Sequence, residues 1–81
     1  MNREEVAARV RSFVEQLAQS SAFSNEDHLL DAGVLHSIHI VELILFVADG
    51  FGVTLAADDI YDGRLASIHA IVDLVSSRMA A

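Results

Sequence analysis

Apolar residues recur every three or four positions in three separate segments of the sequence, and this spacing constrains the fold more than any other feature. Residues at that spacing share one face of an α-helix. None of the 81 residues is a proline that could interrupt such helices. The first segment contains Val6, Val10, Phe13, Val14 and Leu17, the second Ile40, Leu43, Ile44, Val47 and Phe51, and the third Ile68, Ile71, Val72, Leu74, Val75 and Met79. The pattern therefore predicts three long amphipathic helices.

Residues that favour helix ends stand beside these segments. Asn2 followed by Glu5 resembles a capping box at the start of the first helix. The second helix is predicted to run from about residue 37 to about residue 51, because Gly52 can take the left-handed conformation that ends helices. Ser67 is a suitable N-cap for the last helix.

The segments between the helices contain few apolar residues. A polar loop follows the first helix, and its only predicted anchors to the core are Leu29, Leu30, Val34 and Leu35. Further along, Ile60 and Tyr61 supply the apolar residues of a single turn, which predicts a short third helix. The expected fold is all-α: a small four-helix bundle of three long helices and one short helix, in a single domain over residues 1–81.

The charge and residue content limit the chemistry available to the chain. Its formal net charge of −7 disfavours nucleic acids and anionic membranes and favours basic protein surfaces. Without cysteine, the chain has neither a disulfide nor a thiolate of its own. Glu42 and Asp49 interrupt the most apolar segment, and the acidic start of the chain lacks the pattern of a secretory signal. We therefore expect a cytoplasmic protein whose partners are proteins.

The second helix is predicted to have two apolar rows. One row is the core face described above, whereas Val41 and Leu45 stand four and eight residues after Ser37 and so lie on the serine's side of the helix. A bundle that surrounds this helix would bury both rows. Alternatively, the second row is a docking strip for a partner, with Glu42 and Asp49 as its charged flanks.

Ser37 lies between two histidines, in the stretch AGVLHSIHIVEL, where the loop is predicted to become the second helix. His36 and His39 alone supply too few ligands for a typical metal site. A hydrolytic arrangement of Ser37, a histidine and Asp31 is disfavoured, because neighbours in sequence rarely have triad geometry and no glycine-flanked elbow surrounds the serine. A simple helix cap remains open. We therefore expect neither a metal site nor a catalytic residue.

The stretches LLDAGVLHSIHIVELILFVADGFGVTL and SIHAIVDLV resemble the carrier-protein family, the acyl and peptidyl carriers that bear 4′-phosphopantetheine. The likeness lies in the order and spacing of the loop with Gly33, the serine at the start of the second helix, Phe51 near its end, and the final helix introduced by Ser67. It implies an acyl-carrier-protein-like fold and a 4′-phosphopantetheine arm joined to Ser37 through a phosphodiester. The thiol of the arm would carry acyl or aminoacyl groups as thioesters, and the chain itself would not be an enzyme.

The resemblance also implies partners. They are a phosphopantetheinyl transferase, an acyl- or aminoacyl-loading enzyme, and downstream synthase or tailoring enzymes, while the chain itself is expected to be a monomer. The expected docking residues are His36, Ile38, His39, Val41, Glu42 and Leu45. His36 stands where acyl carriers have aspartate, and Val34 and Leu35 stand where many peptidyl carriers have a glycine pair. This mixed motif favours a free-standing carrier of a specialised polyketide, nonribosomal peptide or related biosynthetic pathway.

The alternative is a small helical protein-interaction module without a prosthetic group. In that case Ser37 acts only as a helix cap, and the second apolar row is a seam between copies of the chain. A carrier is expected to be a monomer, whereas such a seam would produce a dimer.

Overall fold

Four α-helices and their connecting loops make up residues 2–79, the part of the chain that the computed structural model describes. The helices are α1 (Arg3–Ala18), α2 (His39–Phe51), α3 (Ala57–Tyr61) and α4 (Ile68–Met79), and no strand occurs among the described residues. This confirms the prediction of a small all-α bundle with three long helices and one short helix. Within residues 2–79, no helix is long and apolar enough to cross a membrane.

The predicted helix ends are formed by local hydrogen bonds. The backbone N–H of Glu5 donates to Asn2 Oδ1 at 2.9 Å, which is one half of the predicted capping box. Similarly, the backbone N–H of Ala70 donates to Ser67 Oγ at 3.0 Å at the start of α4. Gly52 ends α2 in the left-handed conformation, with φ of 66°.

The core consists of one face from each long helix, and α1 packs mainly against α4. The buried residues of α1 are Val6, Val10 and Val14, those of α2 are Leu43 and Val47, and those of α4 are Ile68, Ile71, Val72, Leu74 and Val75. These assignments follow the predicted faces. The other residues of the predicted faces are partly buried against this core, except Met79, which is exposed.

The long loop between α1 and α2 is held by Arg11. Its guanidinium donates to Asn25 Oδ1 at 2.7 Å and to the Phe23 carbonyl at 2.7 Å, and it lies 4.4 Å from the centroid of the Phe23 ring. Leu29 and Leu35 are buried as predicted. The prediction for Leu30 was wrong: its side chain is 41% exposed.

The short helix α3 is held by a buried carboxylate. Ile60 and Tyr61, whose apolar side chains predicted this helix, are both exposed, whereas Asp59 is only 4% exposed. Asp59 Oδ2 accepts from the Ala56 N–H at 2.8 Å, and Oδ1 accepts from the Arg78 guanidinium at 2.6 Å. The helix was therefore predicted in the right place, but a polar contact rather than apolar burial attaches it to α4.

Candidate functional site

Ser37 is exposed in the turn that leads into α2. The Ile40 N–H donates to the Ser37 carbonyl at 3.2 Å and the His39 N–H donates to the His36 carbonyl at 2.9 Å, so one tight turn precedes the α-helix. The regular helix begins at His39, two residues later than predicted. The N-cap residue of α2 is Ile38, which makes no side-chain capping bond, so Ser37 is not the conventional N-cap of this helix.

The apolar row beside Ser37 lies open to solvent. Ile38 is 78% exposed, Val41 63% and Leu45 56%, and their spacing places them on one face of α2. The bundle therefore does not bury the second row of this helix. The opposite face of α2 supplies the core, where Leu43 and Val47 are fully buried. Because both rows belong to one rigid helix, the exposed row is held in a defined orientation next to the serine.

The exposed side of α2 is anionic and has no compensating cation in the described part of the chain. Glu42 and Asp49 are exposed, and α2 contains neither lysine nor arginine. The chain's five cations are all arginines, and four of them form ion pairs elsewhere: Arg3 with Asp73, Arg11 with Glu15, and Arg64 and Arg78 with Asp59. The fifth, Arg9 on α1, lines a crevice with Phe13, Phe46 and Gly50 and forms no ion pair with Glu42 or Asp49. A basic partner would therefore meet free carboxylates on this side of the protein.

The two histidines that flank Ser37 differ in environment. His36 is exposed, whereas His39 is half-buried and its Nδ1 accepts a hydrogen bond from the His36 backbone N–H at 3.0 Å. Their ring centroids lie 5.8 Å apart. Between Asn2 and Met79, no group of three histidine, aspartate, glutamate or cysteine side chains is placed to hold a metal ion.

The geometry around Ser37 is not that of a catalytic triad. Asp31 lies beside His28, with Oδ2 3.7 Å from Nδ1, rather than beside a histidine that contacts Ser37. The Nδ1 of His39 is occupied by the backbone bond already described. The Ser37 hydroxyl is exposed, and neither His39 Nδ1 nor the Asp31 carboxylate is paired with it.

A small apolar crevice opens one helical turn from Ser37. It has a cavity volume of about 140 Å³ and is lined by Leu30, Ile40, Ile60 and Leu65 among others. Leu30 and Ile60, which are exposed although both are large and apolar, contribute to the lining of this crevice.

Ser37, Ile38, Val41, Glu42 and Leu45 thus lie along one exposed side of the protein, with His36 at its edge and His39 turned partly inward. No family model matches the chain, and no curated protein is significantly similar to it. The residues and geometry of this chain therefore carry the functional argument.

Proposed function

We propose that this chain is a free-standing carrier protein that holds acyl or aminoacyl intermediates on a 4′-phosphopantetheine arm attached to Ser37. The observation that carries the proposal is an exposed serine at the first turn of a helix whose adjacent apolar row is also exposed. This arrangement supports the proposal because it matches the order of loop, serine and helix by which the sequence resembles acyl carrier proteins. The chain supplies the attachment point and the docking surface, and partner enzymes supply the catalysis.

The start of α2 suits a phosphodiester. The N–H groups of His39 and Ile40 already donate to the His36 and Ser37 carbonyls. The remaining N–H groups of this turn and the positive end of the helix dipole favour an anion, so a phosphodiester on the Ser37 oxygen would be stabilised. No carboxylate pairs with Ser37 to repel it; the nearest acids in sequence, Asp31 and Glu42, are six and five residues away. When attached, the arm would supply the thiol that the chain itself lacks.

The crevice lined by Leu30, Ile40, Ile60 and Leu65 supports a short apolar cargo. It lies between α2, α3 and the segment before α4, and Ile40, three residues after Ser37, is part of its lining. At about 140 Å³ it is smaller than typical ligand pockets, which measure about 300–1,000 Å³. We therefore propose that it shelters at most a few carbon atoms of a cargo.

The docking surface of the proposed carrier comprises Ile38, Val41, Glu42 and Leu45, with His36 and His39 beside the attachment point. A phosphopantetheinyl transferase, a loading enzyme and downstream synthase or tailoring enzymes would all approach Ser37 across it. The apolar row would supply the buried contact area, and Glu42 would pair with an arginine or lysine of the partner. The mixed motif around Ser37 favours a specialised polyketide, nonribosomal peptide or related pathway.

The test is the intact mass of the protein after incubation with coenzyme A, magnesium and a broad-specificity phosphopantetheinyl transferase that is active on a control carrier. The proposal expects a gain of one phosphopantetheine, and no gain for Ser37→Ala. Equal modification of Ser37→Ala, or no gain for the parent chain with any of several active transferases, would overturn it.

A second candidate function is favoured by the same exposed row. Ile38, Val41 and Leu45 would also serve a helical interaction module that carries no arm and associates through α2. Sedimentation or size-exclusion chromatography at several concentrations distinguishes the two. A monomer that gains the arm supports the carrier, whereas a dimer that gains nothing supports the interaction module.

A further inference from the structure

A second surface feature lies between α1 and α2, beside the docking row, with which it shares Leu45. We call it the aromatic groove and define it by Phe13, Leu17, Leu45, Phe46 and Gly50. The rings of Phe13 and Phe46 stack in parallel at its centre, with centroids 4.1 Å apart. Its cavity volume of about 650 Å³ lies in the range of binding pockets, although the groove is open to solvent.

Gly50 keeps this groove open. It lies in the last turn of α2 with ordinary helical geometry, and a Cβ atom there would be 3.7 Å from the Phe46 ring, an ordinary contact. Neither backbone conformation nor crowding therefore requires glycine at this position. Glycine inside a helix lowers the free energy of unfolding relative to almost any other residue. Gly50 therefore reduces the stability of α2 without a reason in the fold. A larger side chain would cover the face of Phe46.

The rim of the groove is acidic. Glu42 and Asp49 line it, and their spacing of seven residues corresponds to two helical turns, or about 10.5 Å along α2. Neither carboxylate belongs to an ion pair within residues 2–79. The groove thus presents an apolar floor beside two carboxylates that form no ion pair, while Arg9 of α1 lines the adjoining crevice, which shares Phe13, Phe46 and Gly50 with the groove.

This charge pattern selects among possible occupants. An anionic small molecule would be repelled by both carboxylates, and a second copy of the chain, with a formal net charge of −7, would also be repelled. A helix with two basic residues seven positions apart and apolar residues between them would place its cations opposite Glu42 and Asp49. Its apolar side chains would then cover Phe13, Leu17 and Phe46.

We infer that the aromatic groove binds a basic amphipathic helix of a partner protein. The partner would contact α1 as well as α2, so the recognised surface extends beyond the row that flanks Ser37. The inference goes beyond the proposed function because nothing in it requires an arm on Ser37. It holds for a carrier and for an armless interaction module alike.

The probe is a synthetic, end-capped, alanine-rich peptide of about 16 residues, long enough to form a helix, with two lysines seven positions apart and leucine and phenylalanine between them. A matched peptide has glutamate in place of both lysines. The protein is Ser37→Ala, so no arm is involved, and binding is followed through amide chemical shifts in an NMR titration. We expect the lysine peptide to shift the amides of Phe13, Leu17, Phe46 and Asp49, and the glutamate peptide to bind at least tenfold more weakly.

Three variants locate the site. Gly50→Leu should fold with an unchanged or higher melting temperature and lose binding, because its side chain fills the groove. The double variant Glu42→Lys, Asp49→Lys should bind about tenfold more weakly, since each exposed ion pair contributes modestly. The double variant Glu26→Lys, Asp62→Lys, at two exposed positions outside the groove, makes the same change in net charge and should bind nearly as the parent chain.

Three outcomes would overturn the inference. They are no saturable binding of the lysine peptide, equal binding by folded Gly50→Leu, and shifts confined to residues outside α1 and α2. A concentration-dependent dimer of the free chain that Gly50→Leu abolishes would instead assign the groove to a second copy. These results are independent of the mass measurement on Ser37, so failure of this inference and failure of the carrier proposal are distinguishable.

Discussion

The side chain of His39 is hydrogen-bonded to the backbone of His36 at the start of α2: Nδ1 of the imidazole accepts from the His36 N–H at 3.0 Å. An accepting nitrogen carries no proton, so this bond requires the neutral ring with its proton on Nε2. The contact spans three residues and matches the backward half of a capping box, with histidine where glutamate or glutamine is usual. The side chain two positions after Ser37 thereby orients the turn that displays it.

This contact predicts the behaviour of two variants at position 39. His39→Ala should lose about 0.5–2 kcal/mol of unfolding free energy, the usual effect of removing a helix-capping side chain. His39→Gln should retain most of the stability, because its amide oxygen can accept the same N–H. Urea denaturation monitored by helical circular dichroism measures both. Equal losses in the two variants would contradict a capping role.

The two rows of α2 should respond oppositely to truncation. Leu43 is fully buried, so Leu43→Ala should lose about 2–5 kcal/mol of unfolding free energy through lost burial and the cavity that remains. Val41 is 63% exposed, so Val41→Ala should change stability by less than about 0.5 kcal/mol. Denaturant unfolding of the two variants under one condition compares them. A near-neutral Leu43→Ala would mean that the faces of α2 are assigned wrongly.

Docking on the exposed row predicts a kinetic effect without a structural one. Glu42→Lys and Leu45→Ser should each slow loading by the cognate enzyme. Glu42→Lys would repel a basic residue of the partner, and Leu45→Ser would remove an apolar contact. Both should keep the helical content of the parent chain. Loading rates measured at subsaturating carrier concentration test this, with Asp62→Lys as the control for charge. Unchanged rates for both variants would exclude this face as the docking surface.

Asp59 predicts a loss of stability in acid. The hydrogen bond from the Ala56 N–H, together with the Arg78 and Arg64 guanidinium groups, holds the pKa of the Asp59 carboxyl below its ordinary value of 3.8, against the opposing effect of its burial. Because the native pKa is lower than the unfolded one, the contribution is fully present above the unfolded value. It is lost as the pH falls through 3.8 toward the lower native pKa.

The matched variant for this prediction is Asp59→Asn, which keeps the shape of the side chain and removes its charge. Its unfolding free energy should be lower than that of the parent chain at neutral pH, and the difference should shrink as the pH falls below the ordinary carboxyl range. The ion pair of Arg3 with Asp73, which also lowers the pKa of its carboxyl, is present in both the parent chain and the variant. Both proteins should therefore lose some unfolding free energy in acid from this pair. A difference that stays constant down to the acid limit would exclude Asp59 as a source of pH dependence.

Some features of the site were predictable from single positions and others were not. The placement of Ser37 at the start of a helix followed from the polar loop before it and the apolar period after it. The sequence did not predict that α2 begins at His39 rather than at Ser37. At this turn the imidazole of His39, and not the hydroxyl of Ser37, accepts a hydrogen bond from the backbone. The prediction that Leu30 anchors the loop to the core was wrong, because Leu29 takes the buried position and Leu30 instead lines the crevice beside Ile40.

What the sequence by itself determined is the set of four helices and the side of α2 on which Ser37 lies, since helical period is local and needs no partner. Only the tertiary structure decided that the second apolar row of α2, Val41 and Leu45, stays exposed instead of being buried with the first, because that depends on where α1 and α4 pack. It also decided that Asp59 is buried, since its cation comes from Arg78, 19 residues along the chain. Local spacing sets which residues share a face, whereas burial and charge pairing are properties of the assembled bundle.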